Sequence, residues 1–139
     1  MTRLKFTLAG LLLLACVPLC HAADRIVVIG HANVRKIDLT TVQRIFMGKT
    51  IEVDGVRVRP ANGTPNLVAR QRFLSQYLQT DEDQYVAYWT VRRYVGKGTP
   101  PHEVKQTAEM IEFVSKTPGA IGYVDEADVL PGMNVVLRK

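Results

Sequence analysis

Thiols are scarce in this 139-residue sequence: its two cysteines, Cys16 and Cys20, both fall within the first 22 residues. Those residues have the form of a secretory leader. Arg3 and Lys5 supply a positive start, Phe6 to Leu19 an apolar stretch, and Cys20-His21-Ala22 a small-x-small cleavage site. Residues 1–22 are therefore predicted to be a signal peptide and residues 23–139 a single exported domain, periplasmic in location. Leu13-Leu14-Ala15-Cys16 offers the alternative of a lipid anchor through Cys16. Once the leader is gone no thiol remains, which excludes disulfides, cysteine nucleophiles and thiolate metal sites.

Other absences narrow the field further. No second long apolar run follows the leader, so the mature chain is expected to lack a membrane span. His31 and His102 are the histidines left to it, and there is no G-x-S-x-G elbow, so the chain is not read as an enzyme. Lys and Arg total 18 against 13 acids; losing Arg3 and Lys5 leaves 16, a net charge of +3, scattered along the chain. A scattered, mild excess on an exported chain does not suit nucleic acid as a partner. Gly96-Lys97-Gly98-Thr99 lacks the spacing of a nucleotide phosphate loop, and Asp125, Glu126 and Asp128 lack that of a calcium loop. Neither a metal nor an organic cofactor is implied, and those carboxylates read as solvated loop charges.

What is present is an alternation of strand and helix signals. Ile26-Val27-Val28-Ile29 is a β-branched run expected of a strand buried on both faces. Asp38 caps a short helix whose buried side is Leu39, Val42, Ile45 and Phe46, with Ile37 and Val42 as a hydrophobic staple and Gly48 as the stop. Val53-Asp54-Gly55-Val56 is a hairpin. Val56 to Arg59 reads as a strand, Asn62-Gly63 as a sharp turn, and Thr64-Pro65 as the cap and first position of a helix running to Gln79. Thr80-Asp81 caps the next helix, whose Tyr85, Tyr88 and Trp89 read chiefly as core. Thr99-Pro100-Pro101 is predicted to start a fourth helix with Val104, Ala108, Ile111 and Val114 on one face. Ala120 to Val124 and Asn134 to Leu137 close the chain as strands. The pattern predicts one α/β domain, a mostly parallel sheet flanked by helices, with one β-hairpin.

The junction after Arg59 has the chemistry of an anion site in outline. A helix start leaves backbone N–H groups unpaired, and the macrodipole there favours negative charge. Arg59 before the loop and Arg70 inside the helix would flank the same point. The candidate ligand-binding residues are thus Arg59, Asn62, Gly63, Thr64 and Arg70, against the plainer reading of an ordinary strand-to-helix turn.

Several stretches together resemble a known family. Ile45-Phe46-Met47-Gly48-Lys49, the strand ending at Arg59, the Asn62-Gly63-Thr64 turn with Arg70 and Phe73 after it, and Pro118-Gly119-Ala120-Ile121-Gly122-Tyr123 follow in the order found in phosphate-type periplasmic solute-binding proteins of ABC transporters. The resemblance implies the type 2 periplasmic-binding fold, of which this chain has the length of a single lobe. It also implies that Arg59, Gly63 and Thr64 match the family's phosphate-holding arginine, glycine and threonine, with Asn62 at the position of a serine. The implied ligand is inorganic phosphate or another small oxyanion. A lone lobe leaves such a site open to water, where charged contacts contribute little, so weak binding is expected. The competing reading is a non-catalytic interaction module that keeps the fold to dock on an envelope protein or a second copy of itself, with Tyr85, Tyr88 and Trp89 partly exposed.

Overall fold

The computed structural model describes residues 25–139; the predicted leader and its two cysteines lie outside the described residues. Strand β1 (Ile26–Gly30) is the β-branched run and is buried at every position. Helix α1 (Leu39–Phe46) starts at Asp38, whose carboxylate accepts the Thr41 N–H at 2.7 Å, and buries Val42, Ile45 and Phe46. The Asp-Gly hairpin forms as its chemistry demands. Strands β2 (Glu52–Val53) and β3 (Val56–Arg57) pair antiparallel, and Asp54 and Gly55 both take positive φ, 50° and 79°. Strand β4 (Arg59–Gly63) leads to α2 (Val68–Phe73), which continues as a π-helical turn over Leu74–Leu78. Asp81 then caps α3 (Glu82–Tyr94), accepting from the Gln84 N–H at 2.9 Å. The chain ends with β5 (His102–Val104), α4 (Thr107–Lys116), β6 (Ala120–Asp125) and β7 (Asn134–Arg138).

The main sheet has the order β5-β4-β6-β1-β7. Strand β4 runs parallel to β5 and β6, while β1 runs antiparallel to β6 and β7, so β1 alone opposes the common direction. This is the expected α/β arrangement with a mostly parallel sheet. Successive residues of β6 show how the layers stack: Gly122 faces Met110 and Val114 of α4, and Tyr123 stacks on Phe73 of α2 with ring centroids 4.0 Å apart. Because neighbouring strand residues point to opposite faces, α2 and α4 cover opposite sides of the sheet. Every residue of the main core lies between Ile26 and Val136. A smaller cluster of Leu74, Tyr85 and Trp89 joins α2 to α3.

Three expectations are corrected. Asn62 and Gly63 are not a turn: β4 continues through both, paired with β5 at Ala61↔His102, Asn62↔Glu103 and Gly63↔Val104. Thr64-Pro65 does not start the helix; α2 begins at Val68, and the Thr64 hydroxyl donates to Asn66 Oδ1 at 2.6 Å. Pro100-Pro101 leads into strand β5, not a helix. In each case the local residues favour a turn or helix start; at Asn62 and Gly63 burial between the parallel neighbours β5 and β6 overrides them, and at the edge strand β5 pairing with β4 does. Tyr85 and Trp89 are buried and Tyr88 is half-buried, so the aromatic group is core, as its spacing suggested; the docking reading's expectation that these rings are partly exposed is corrected for Tyr85 and Trp89, which pack with Leu74.

Candidate functional site

The carboxyl end of β4 is where the five predicted ligand-binding residues were expected to meet. Asn62, 1% exposed, accepts a hydrogen bond on Oδ1 from the Tyr123 hydroxyl of the neighbouring strand β6. The same hydroxyl oxygen accepts the Gly63 N–H at 2.9 Å. The Thr64 N–H donates to the Val104 carbonyl at 2.9 Å, extending the β4–β5 ladder by one bond. Both amides that would have pointed at an anion are therefore occupied from within. Burial pushes the Tyr123 phenol well above its ordinary value, so it stays protonated and keeps donating to Asn62.

Arg70 is the centre of a second network. It is 3% exposed, on α2, and its guanidinium grips Glu82 of α3 through Nε and Nη2 at 2.7 and 2.6 Å. Nη1 donates to Glu103 of β5 at 2.9 Å and to the Gly63 carbonyl at 2.8 Å. The Tyr85 ring lies beneath it, 5.5 Å from the guanidinium carbon to the ring centroid. Burial by itself would lower the Arg70 pKa; the carboxylates of Glu82 and Glu103 outweigh it and raise the net value. Arg70 and Arg93 on this cavity are balanced by Glu82 and Glu103, so the site offers an oxyanion no net positive charge. Arg70 is a clasp that ties α2, α3 and β5 to the end of β4.

Arg59 sits elsewhere. It begins β4, four residues before Gly63, or about 13 Å along an extended strand. Its backbone N–H bonds the Gly119 carbonyl at 2.8 Å, and its exposed side chain has no ion pair among the described residues. Arg59 borders a groove with Val58, Pro60, His102 and Phe113, whereas Arg70 borders an adjoining cavity of about 180 Å³ with Asn62, Tyr85, Arg93 and Glu103, on the other side of Trp89, Pro100 and Pro101. So the fold brings Asn62, Gly63 and Arg70 together, leaves Thr64 beside them with its amide used, and carries Arg59 away. Tyr123, Glu82 and Glu103 are the residues that sequence reasoning missed. A tyrosine within a buried apolar strand needs a hydroxyl partner, and that was the available signal for Tyr123.

The acidic stretch is likewise engaged. Asp125 pairs with Arg72 at 3.0 Å, and Glu126 with Arg138 at 2.8 Å. No group of three or more His, Cys, Asp or Glu residues able to hold a metal lies among the described residues. No helix among them is long and apolar enough to cross a membrane.

The stretches that carried the family resemblance prove to be packing devices. Gly119 holds φ +77° with the Arg57 carbonyl against it, leaving no room for a Cβ. Gly122 lies under Met110 of α4, and Gly48, at φ +69°, lies under the Trp89 indole. Phe46 is fully buried, 4.6 Å from Phe73 between ring centroids.

No protein-family model matches the sequence, and no curated protein matches it. Solved structures do. An ABC-type phosphate transport receptor from Vibrio cholerae superposes with a TM-score of 0.62 at 10% identity, over 81% of this chain and 45% of that one. A protein assigned as a phosphate ABC transporter substrate-binding protein from Clostridium perfringens, solved with bound phosphate, gives 0.62 at 14% identity, over 81% and 44%. At such identities the likeness is one of fold. The chain has the α/β fold of these substrate-binding proteins and spans under half the length of either.

Proposed function

We propose that this chain is an exported, non-catalytic envelope domain that keeps one lobe of the solute-binding fold without a working oxyanion site at the end of β4, and acts through protein contacts. The observation that carries this reading is the closed state of the β4–α2 junction. The Gly63 and Thr64 amides donate to Tyr123 and Val104, and Arg70 is neutralised by Glu82 and Glu103. A phosphate arriving there would have to displace internal bonds and would meet no net positive charge. Periplasmic location rests on the leader-like residues 1–22 and on likeness to transport receptors.

The test is isothermal titration of residues 23–139 with inorganic phosphate. No saturable heat is expected up to about 1 mM phosphate, a limit near −4 kcal/mol of binding free energy. Sub-micromolar binding contradicts the proposal.

One observation favours a second reading, a weak oxyanion binder serving an ABC transporter. Arg59 is exposed and free of ion pairs among the described residues, on a fold shared with phosphate receptors. On that reading binding is weak and is lost in Arg59→Ala while Arg70→Lys leaves it unchanged.

A further inference from the structure

The cavity beside the Arg70 clasp carries two charged groups that the fold leaves with bonding capacity to spare. Arg70 itself has none: Nε and Nη2 go to the two oxygens of Glu82, and Nη1 to Glu103 Oε1 and the Gly63 carbonyl. Glu103 uses one oxygen in that bond. Its Oε2 accepts from nothing among the described residues, and the side chain is 49% exposed. Arg93, on α3, is exposed and makes no hydrogen bond or ion pair among the described residues. Both side chains line the cavity of about 180 Å³, yet no ion pair joins them. Much of the remaining wall is apolar, made by Val86, Trp89, Pro100 and Pro101.

A free guanidinium and a free carboxylate oxygen that share a hollow without pairing define what can fill it. A simple oxyanion suits Arg93 but meets the carboxylate of Glu103, and a simple amine suits Glu103 but meets Arg93. A ligand carrying both charges satisfies the two groups together.

We propose that this cavity binds a small zwitterion, an α-amino acid with a short apolar side chain. The ligand carboxylate pairs with the Arg93 guanidinium, whose planar fork suits two oxygens. The ammonium donates to Glu103 Oε2, and the side chain lies against Trp89, Pro100 and Pro101. Since a cavity of about 150 Å³ holds benzene, one of about 180 Å³ takes a ligand of about eight heavy atoms, the size of valine. Water reaches both charged groups, so binding is weak, with a Kd on the order of 100 µM to 1 mM. Such a site lies outside the interaction-module reading and requires neither an open β4–α2 junction nor a docked protein.

Trp89 is the sole tryptophan of the chain, so its indole N–H gives a single NMR signal from the cavity wall. Residues 23–139, which contain the whole described core, are titrated with L-valine and, separately, with isobutylamine and isovalerate, which are valine without its carboxylate and without its amine. L-valine is expected to shift the Trp89 signal saturably within about 10 mM, and each single-charge analogue to bind at least about tenfold more weakly. Arg93→Met should weaken valine about tenfold or more, while isobutylamine, which never used Arg93, binds no worse. Glu103→Gln should weaken valine in the same way and spare isovalerate. A Trp89 signal that valine leaves in place, analogues that bind as tightly as valine, or an Arg93→Met chain that binds valine like the parent overturns the site. A phosphate-saturable shift of the Gly63 and Thr64 amides overturns the closed junction instead, whatever valine does.

Discussion

Arg70 and Arg93 border the same small cavity and share a side-chain chemistry, yet the fold uses them in opposite ways. Arg70 is buried, held by two carboxylates and a carbonyl, and capped by an aromatic ring. Arg93, on the next helix, is exposed and has no ion-pair partner among the described residues. The buried guanidinium could enter this environment only with its charge matched, because an isolated ion in the interior costs several kcal/mol. Once matched, it has nothing left to offer a ligand. The exposed one costs nothing to keep unpaired and stays available to a partner. A cation at a predicted site is therefore informative only together with its pairing state.

The sharpest way to break this comparison is to remove each charge. Arg70→Met should destabilise the fold by about 3 kcal/mol or more, because it leaves Glu82, Glu103 and the Gly63 carbonyl without their shared donor. Arg93→Met should change stability by less than about 0.5 kcal/mol. Denaturant midpoints of the two variants measure the contrast, and similar losses would erase it.

Alkaline stability sharpens the same point for the buried phenols. Burial pushes Tyr85 from its ordinary value near 10 up to about 12, and it raises Tyr123 and Tyr77 as well. A phenol whose folded pKa lies above its unfolded one contributes stability that is complete below about pH 10 and is lost as pH rises through the folded value. Unfolding free energy should thus fall between pH 10 and 12, by on the order of 2–3 kcal/mol for Tyr85 alone. Equilibrium unfolding across that range checks it; a flat profile would mean the phenols are not sealed in.

Tyr123→Phe should cost about 1–2 kcal/mol, less than Arg70→Met or the alkaline loss. It removes one hydroxyl and strands the Gly63 N–H and the Asn62 amide oxygen, while the ring keeps its stack on Phe73. An unchanged midpoint would show that water already satisfies those groups.

Much of the fold could be read from residues alone, for a reason these elements share. The β-branched run of β1, the Asp38 and Asp81 caps, the Asp54-Gly55 hairpin and the β6 stretch are each decided by chemistry within a few residues. The end of β4 and all of β5 are decided by pairing between segments far apart in the chain, and their prolines, asparagine and glycine point locally to turns. The candidate site failed to be readable in the same way. Asn62, Gly63, Thr64 and Arg70 were correctly placed near one another, but the partners that occupy them come from β6, α3 and β5. Arg59 was misplaced because a strand running on through Gly63 carries it to the other end. The family-like stretches gave a sound account of the fold because Gly48, Gly119 and Gly122 permit close approaches that the packing requires. Nothing in those contacts concerns a ligand.

The amide resonances of Gly63 and Thr64, followed by NMR as inorganic phosphate is added to residues 23–139, test the closed junction most directly. Both signals should stay in place up to millimolar phosphate, with slow hydrogen exchange in its absence. A saturable shift of either amide, with exchange that is fast until phosphate arrives, would contradict the account.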